Sequence, residues 1–166
     1  MSTLPISRHA FVVTTIVAAA TASVAALASL MLSLPVWAMF VGWIAFFTRV
    51  KDTRTAIENL GCVGVGTIIG VAAALTIPSA AAIVGPLLAL PAVVFLVALV
   101  VIALRGLPTM NNLLGYFLGL VAWFAAHLEP SLESVAQLLG ASAVGLVAGW
   151  VSYHLPMRIL PRASAS

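Results

Sequence analysis

The sequence predicts an all-α, polytopic membrane protein with six transmembrane helices and both termini in the cytoplasm. Three observations predict it. Hydrophobic residues make up 63% of the chain and charged residues 7%, too few charges for the polar shell that a soluble domain needs. The apolar runs are continuous rather than alternating, which is the pattern of membrane helices and not of a barrel. The seven Lys and Arg residues fall on one side of a six-span threading, as the positive-inside rule requires.

The elements follow in order. Residues 10–32, "AFVVTTIVAAATASVAALASLML", follow Arg8 and His9 in the manner of a signal peptide. The apolar stretch is longer than a typical signal core, so it is read as the first helix. Residues 34–47, "LPVWAMFVGWIAFF", form a second helix that is short for a full crossing and is either tilted or partly re-entrant. The hydrophilic "RVKDTRTAIEN" comes next. The third helix is expected over 60–77, with Glu58 just before it at the inner surface, and the fourth over 80–104. The fifth lies within 107–130, "LPTMNNLLGYFLGLVAWFAAHLEP", and the sixth covers 132–153. Six spans of roughly 20 residues nearly exhaust the chain, so residues 1–166 form a single transmembrane domain.

This threading puts Arg8, Arg49, Lys51, Arg54, Arg105, Arg158 and Arg162 inside. The outer connections, near Ser33, near Ser79 and at "EPSLE", carry no Lys or Arg. Dropping the second helix as a span would destroy that split. The net charge of +3 therefore reflects membrane orientation, and singly scattered basic residues give no nucleic-acid surface. The lone cysteine, Cys62, has no disulfide partner in the chain and reads as a small packing residue beside Gly61 and Gly64.

An internal echo points to a 3+3 inverted repeat with halves 10–77 and 80–154. "LPVWAMFVGW" and "LPTMNNLLGY" share Leu-Pro, then a glycine and a large aromatic residue at the same spacing. That frame places Ala38 and Met39 opposite Asn111 and Asn112. Gly61, Gly66 and Gly70 match Gly140, Gly145 and Gly149 at a constant offset of 79. A competing frame matches "GWIAFF" with "GLVAWF" at an offset of 77. Three helices per half is an odd number, so the halves would face opposite ways, as in many channels and secondary transporters.

Gly-x3-Gly spacings occur at Gly66 and Gly70, Gly115 and Gly119, and Gly145 and Gly149. Missing side chains let helices approach closely, so these glycines, with Gly61 and Gly140, are read as packing positions. Contacts between chains, including a homo-oligomer, would be a second use. The candidate solute path combines Trp37, Phe40, Trp43, Phe47, Tyr116 and Trp123 with the amides of Asn111 and Asn112. Aromatic slots pass flat, weakly polar solutes, and an amide facing lipid is expensive. The plainer reading of the asparagines is capping and interface solvation, with Thr109 as the cap after Pro108. His127, Glu129 and Glu133 form a candidate pH-sensitive cluster at the outer end. No acidic residue or lysine lies mid-span, which disfavours a buried proton relay. Absent too are a phosphate-binding glycine loop, paired intramembrane carboxylates and a Cys/His metal cluster, and His127 beside Ser131 does not make a nucleophile and base. The chain is therefore expected to be neither an enzyme nor a cofactor protein.

The pair "VWAMFVGWIAFF" and "LPTMNNLLGYFLGLVAWFA" resembles the YcdZ-like family of small bacterial inner-membrane proteins over residues 30–150. Trp37, Gly42, Phe46 and Phe47, then Pro108, Gly115, Phe124 and Ala125, carry the resemblance, and Asn111 and Asn112 depart from it. It implies a multi-span protein of the bacterial inner membrane and transfers no ligand residues. The function expected is a channel or facilitator for a small neutral or weakly polar solute of the urea, short-amide or ammonia class. The alternatives are a non-transporting assembly or regulatory protein, or a secondary transporter of small organic anions. The last would need a basic residue near the path, and Arg49, Lys51 and Arg105 stand only at the inner boundary.

Overall fold

A computed structural model describes residues 8–160, and all its regular structure is helical. The helices are α1 (Arg8–Met31), α2 (Val36–Phe47), α3 (Thr53–Val84), α4 (Pro86–Leu104), α5 (Leu113–Ala126) and α6 (Leu132–Ile159). Arg162 and the two termini lie outside the described residues. Four helices, α1, α3, α4 and α6, are long and apolar enough to cross a membrane. The other two are apolar but short, at 12 residues for α2 and 14 for α5. At 1.5 Å per residue they measure about 18 and 21 Å, below the ~30 Å hydrocarbon thickness.

The boundary between the third and fourth helices lies at Gly85, not near Ser79. Pro78 sits inside α3 without ending it, since a proline removes only one helical hydrogen bond and neighbouring helices hold the rest in place. The chain turns at Gly85, with φ 83°, a left-handed value that glycine adopts without strain. Pro86 then supplies the first residue of α4, where a missing N–H costs nothing. At its other end α3 reaches back into the hydrophilic stretch, so Glu58 lies within the helix. Asp52 caps it by accepting from the Thr55 backbone N–H at 2.9 Å and from the Thr55 hydroxyl at 2.8 Å. The backbone bond, more than the hydroxyl, holds the Asp52 carboxyl below its ordinary value.

Successive helices run in opposite directions. At one end, Asn112 before α5 bonds Thr48 after α2 and Asn59 near the start of α3. Trp150 near the end of α6 donates to Thr53 at 3.1 Å, and Val101 and Leu104 of α4 pack with Met110 and Tyr116. Thr14 and Thr15 of α1 share a groove with Phe47 and Met157. This end holds Arg49, Lys51, Asp52, Arg54 and Glu58 and is called the charged end below. Glu58 pairs there with Arg49 at 3.3 Å and Arg54 at 3.2 Å.

Helices α3 and α6 form the centre. The most apolar windows of α3 and α6 are 39% and 44% buried, against 6% and 17% for α1 and α4. Large apolar side chains cover the flanks, among them Phe11, Leu27, Leu87, Phe95 and Leu99. Such a surface suits lipid and not water. The bundle is that of a membrane protein.

The packing also has an internal correspondence. Helix α2 lies chiefly on α6 and α5 chiefly on α3, while α1 lies on α6 and α4 on α3. A Cβ added at Gly42 of α2 would collide with the Ser142 carbonyl of α6, and one at Gly119 of α5 with the Val63 carbonyl of α3. In return, one at Gly145 of α6 would strike the Met39 carbonyl, and one at Gly66 of α3 the Tyr116 carbonyl. Every partner in the first crossing maps onto the second at an offset of 77 between α2 and α5, and 79 between α6 and α3. The frame through "GWIAFF" and "GLVAWF" is therefore the one the contacts follow. The loop before α2 and the loop before α5 share a left-handed residue, Ser33 at φ 55° and Met110 at φ 54°, again 77 apart. In this frame Asn111 and Asn112 stand opposite Leu34 and Pro35, not opposite Ala38 and Met39.

Candidate functional site

Two features at the charged end bring polar groups into the bundle. The first is a closed amide network. Asn112 donates from Nδ2 to Thr48 Oγ1 at 2.7 Å and to Asn59 Oδ1 at 2.9 Å. Asn59 donates to the Ala45 carbonyl at 2.8 Å, and Thr48 Oγ1 donates to the same carbonyl at 2.7 Å. Asn59 is fully buried and Asn112 nearly so. A buried amide must be paired, and these two satisfy each other while tying the end of α2 to the starts of α3 and α5. Asn112 occupies the N-cap position of α5, but its side chain makes no capping bond. Thr109 is not the cap; it lies in the preceding loop.

The second feature is a groove of about 910 Å³ among α1, α2 and α6. Thr14, Thr15 and Ala18 form one wall, Trp43 and Phe47 another, and Ser152, Tyr153, His154, Pro156 and Arg158 much of the third. Aromatic rings join the last two walls. Phe46 stands 6.1 Å from Tyr153 and 5.0 Å from Phe47, and Trp150 stacks on His154 at 4.5 Å. His154 Nδ1 lies 2.9 Å from the Trp150 carbonyl. A carbonyl only accepts, so this nitrogen carries the proton. Lys51 sits over the Tyr153 ring at 5.9 Å.

The residues expected to line a path do not gather along one. Trp37, Phe40 and Phe47 are exposed on the outward face of α2. Trp43 lines the groove with Phe47. Tyr116 is 1% exposed, with its hydroxyl bonded to the Met110 carbonyl at 2.5 Å, and Trp123 is buried beside Ala38, Leu138 and Ala141. Asn111 is exposed and Asn112 buried, so the two adjacent amides have different surroundings. Between α2, α3, α5 and α6 the glycine crossings bring backbones into contact.

Each Gly-x3-Gly pair packs within the chain. An added Cβ would lie 2.8 Å from Trp123 Cβ at Gly70, 2.8 Å from Cys62 Cβ at Gly115 and 3.1 Å from Phe46 Cβ at Gly149. Gly61 and Gly140 instead face flexible side-chain ends, a Met110 methyl at 3.0 Å and a Leu34 methyl at 3.5 Å. Cys62 is fully buried against Gly115. At the opposite end His127 terminates α5 in the left-handed region, at φ 50°. It is exposed with Glu129 and Glu133, and among the described residues the only ion pairs are those of Glu58. Also among the described residues, no three His, Cys, Asp or Glu side chains come together as a metal site.

Sequence reasoning missed Asn59 and the groove residues of α6. Asn59 was hidden at the edge of a hydrophilic stretch taken for a loop. The signal in "SYHLPMR" was His154 and Arg158, four apart on one helix face.

A family model described as "Protein of unknown function (DUF1097)" matches residues 15–156. No curated protein and no solved structure matches the chain. The matched span runs from Thr15 of α1 to Pro156 of α6 and takes in both glycine crossings, the amide network and most of the groove, with Arg158 just beyond it. It includes the stretch that resembles the YcdZ-like proteins without carrying that finer name. The chain is a helical membrane protein that belongs to the DUF1097 family.

Proposed function

We propose that the protein is a small-solute facilitator of the inverted-repeat kind, crossing the membrane six times with its charged end in the cytoplasm. The observation that carries this reading is the pair of matched crossings. Gly42 and Ser142 repeat as Gly119 and Val63, and Gly145 and Met39 as Gly66 and Tyr116. Short helices packed against long ones in two oppositely running halves are the usual frame of carriers that alternate access. The close-packed centre argues against a permanently open pore. Solute would pass when the halves α1–α3 and α4–α6 shift against each other. The amide network would close the inner end, and the apolar contacts of Ala38, Trp123, Leu138 and Ala141 the outer end. The non-transporting alternative loses its main support, because the glycine pairs pack against this chain's own helices.

Uptake by the purified chain in proteoliposomes tests the reading, with urea, acetamide, methylammonium and benzoate as a panel. At least one solute is expected to enter saturably and faster than into protein-free vesicles. Protein-free rates for every member would overturn it.

A further inference from the structure

The two halves differ most at two equivalent grooves. The groove of α1, α2 and α6 has a counterpart of about 370 Å³ among α4, α5 and α3. Trp43 and Phe47 correspond to Leu120 and Phe124, and Ser152 and Pro156 to Ala73 and Ile77, all of which line their own groove. His154 and Arg158 correspond to Leu75 and Ser79 by the same offset. The counterpart is lined by Ala, Ile, Leu, Val and Phe, which contact with lipid tails is sufficient to explain. The groove at the charged end instead adds a guanidinium, an imidazole, a phenol, an indole and three hydroxyls. It is also more than twice the volume, within the range of about 300–1,000 Å³ typical of small-molecule sites.

We propose that the groove lined by Trp43, Phe47, Tyr153 and Arg158 binds a small organic anion with a flat apolar body, of the aromatic carboxylate class. The planar fork of Arg158 matches a carboxylate in two-point contact. Trp43, Phe47 and Tyr153 offer ring faces to the apolar body. Arg158 stands in the last turn of α6, so the helix carbonyls favour the cation there and an anion has to engage the guanidinium itself. That this ligand is the transported solute rests on the facilitator reading; that it binds does not.

The test is equilibrium binding of radiolabelled benzoate to the purified chain in nanodiscs of phosphatidylcholine. Binding is expected to saturate and to weaken about tenfold or more in Arg158→Gln, the effect of losing a charged hydrogen-bonding partner. Arg158→Lys should fall between, because the charge stays and the fork is lost. Trp43→Leu should weaken binding several-fold, and Arg105→Gln, in the loop before α5, should leave it unchanged. Benzyl alcohol, with the same ring and no charge, should compete poorly. Absence of benzoate binding, or binding unaltered by Arg158→Gln, overturns the proposal. So does an Arg158 that instead retains phosphatidylglycerol when that lipid is added. Benzoate bound with this dependence while no member of the solute panel is taken up would leave the site standing and remove the facilitator reading. Saturable uptake of a panel solute without Arg158-dependent benzoate binding would do the reverse.

Discussion

Asn111 and Asn112 show how much a single position decides. The sequence presents two adjacent amides as equals, and a helix would point them about 100° apart without saying which faces inward. The structure gives Asn112 a buried acceptor in Asn59 and a half-buried one in Thr48, and leaves Asn111 exposed. Replacing Asn112 strands the Asn59 oxygen in an apolar setting, and an orphaned buried acceptor costs about 1–3 kcal/mol. Asn112→Leu is therefore expected to lower stability by that amount in a detergent unfolding titration, with Asn111→Leu near the native value. Equal losses in both variants would show that Asn112 owes nothing to the network. That an amide before α5 has to face protein, a polar cavity or the interface was legible in the sequence. Their partner was not, because Asn59 is far in sequence and sat in a stretch whose polarity suggested a loop.

Among the elements, the limits of α1 and α2 and the start of α6 were readable to within two residues because apolar runs end at clear polar breaks. Helix α5 lies inside the stretch expected for it, and α6 runs six residues beyond the expected end at Tyr153. The limits of α3 were not readable. Pro78 looks like a stop and "RVKDTRTAIEN" looks like a loop, yet the helix passes through one and begins inside the other. The Gly85-Pro86 pair was the sharper signal, combining a left-handed turn with a helix-starting proline. The glycines were legible as packing positions, but their tightness was not. Gly145 abuts a carbonyl across the helix crossing, whereas Gly140 faces a flexible leucine methyl at 3.5 Å. Forcing atoms into a close-packed crossing costs about 1–3 kcal/mol or more. Gly145→Ala should lose at least that much stability, and Gly140→Ala should change little, each read by the same unfolding titration. Loss of comparable size in Gly140→Ala would deny that the crossing is the constraint.

At the scale of the molecule, the sequence offered two competing frames for an internal echo. The glycine contacts at the helix crossings follow the offset of 77 between α2 and α5, and not the frame drawn through the Leu-Pro pairs at the head of the two short helices. Ser33 and Met110, two residues with no chemical likeness, occupy the same left-handed turn in the two halves. Such equivalence lives in backbone geometry, which residue identity does not display. It also shows why the groove was missed. Its walls come from α1, α2 and α6, and only the fold brings Thr14, Trp43 and Arg158 together.

The proposed transport stands on the two halves being inverted across a membrane, and Ser33 and Thr109, both exposed in the loops before α2 and α5, report on it directly. In a Cys62→Ala background, Ser33→Cys and Thr109→Cys variants would be treated in intact cells with a membrane-impermeant maleimide, before and after permeabilisation. The account predicts that Ser33→Cys labels in intact cells and Thr109→Cys only after permeabilisation. Labelling of both from the same side would contradict it.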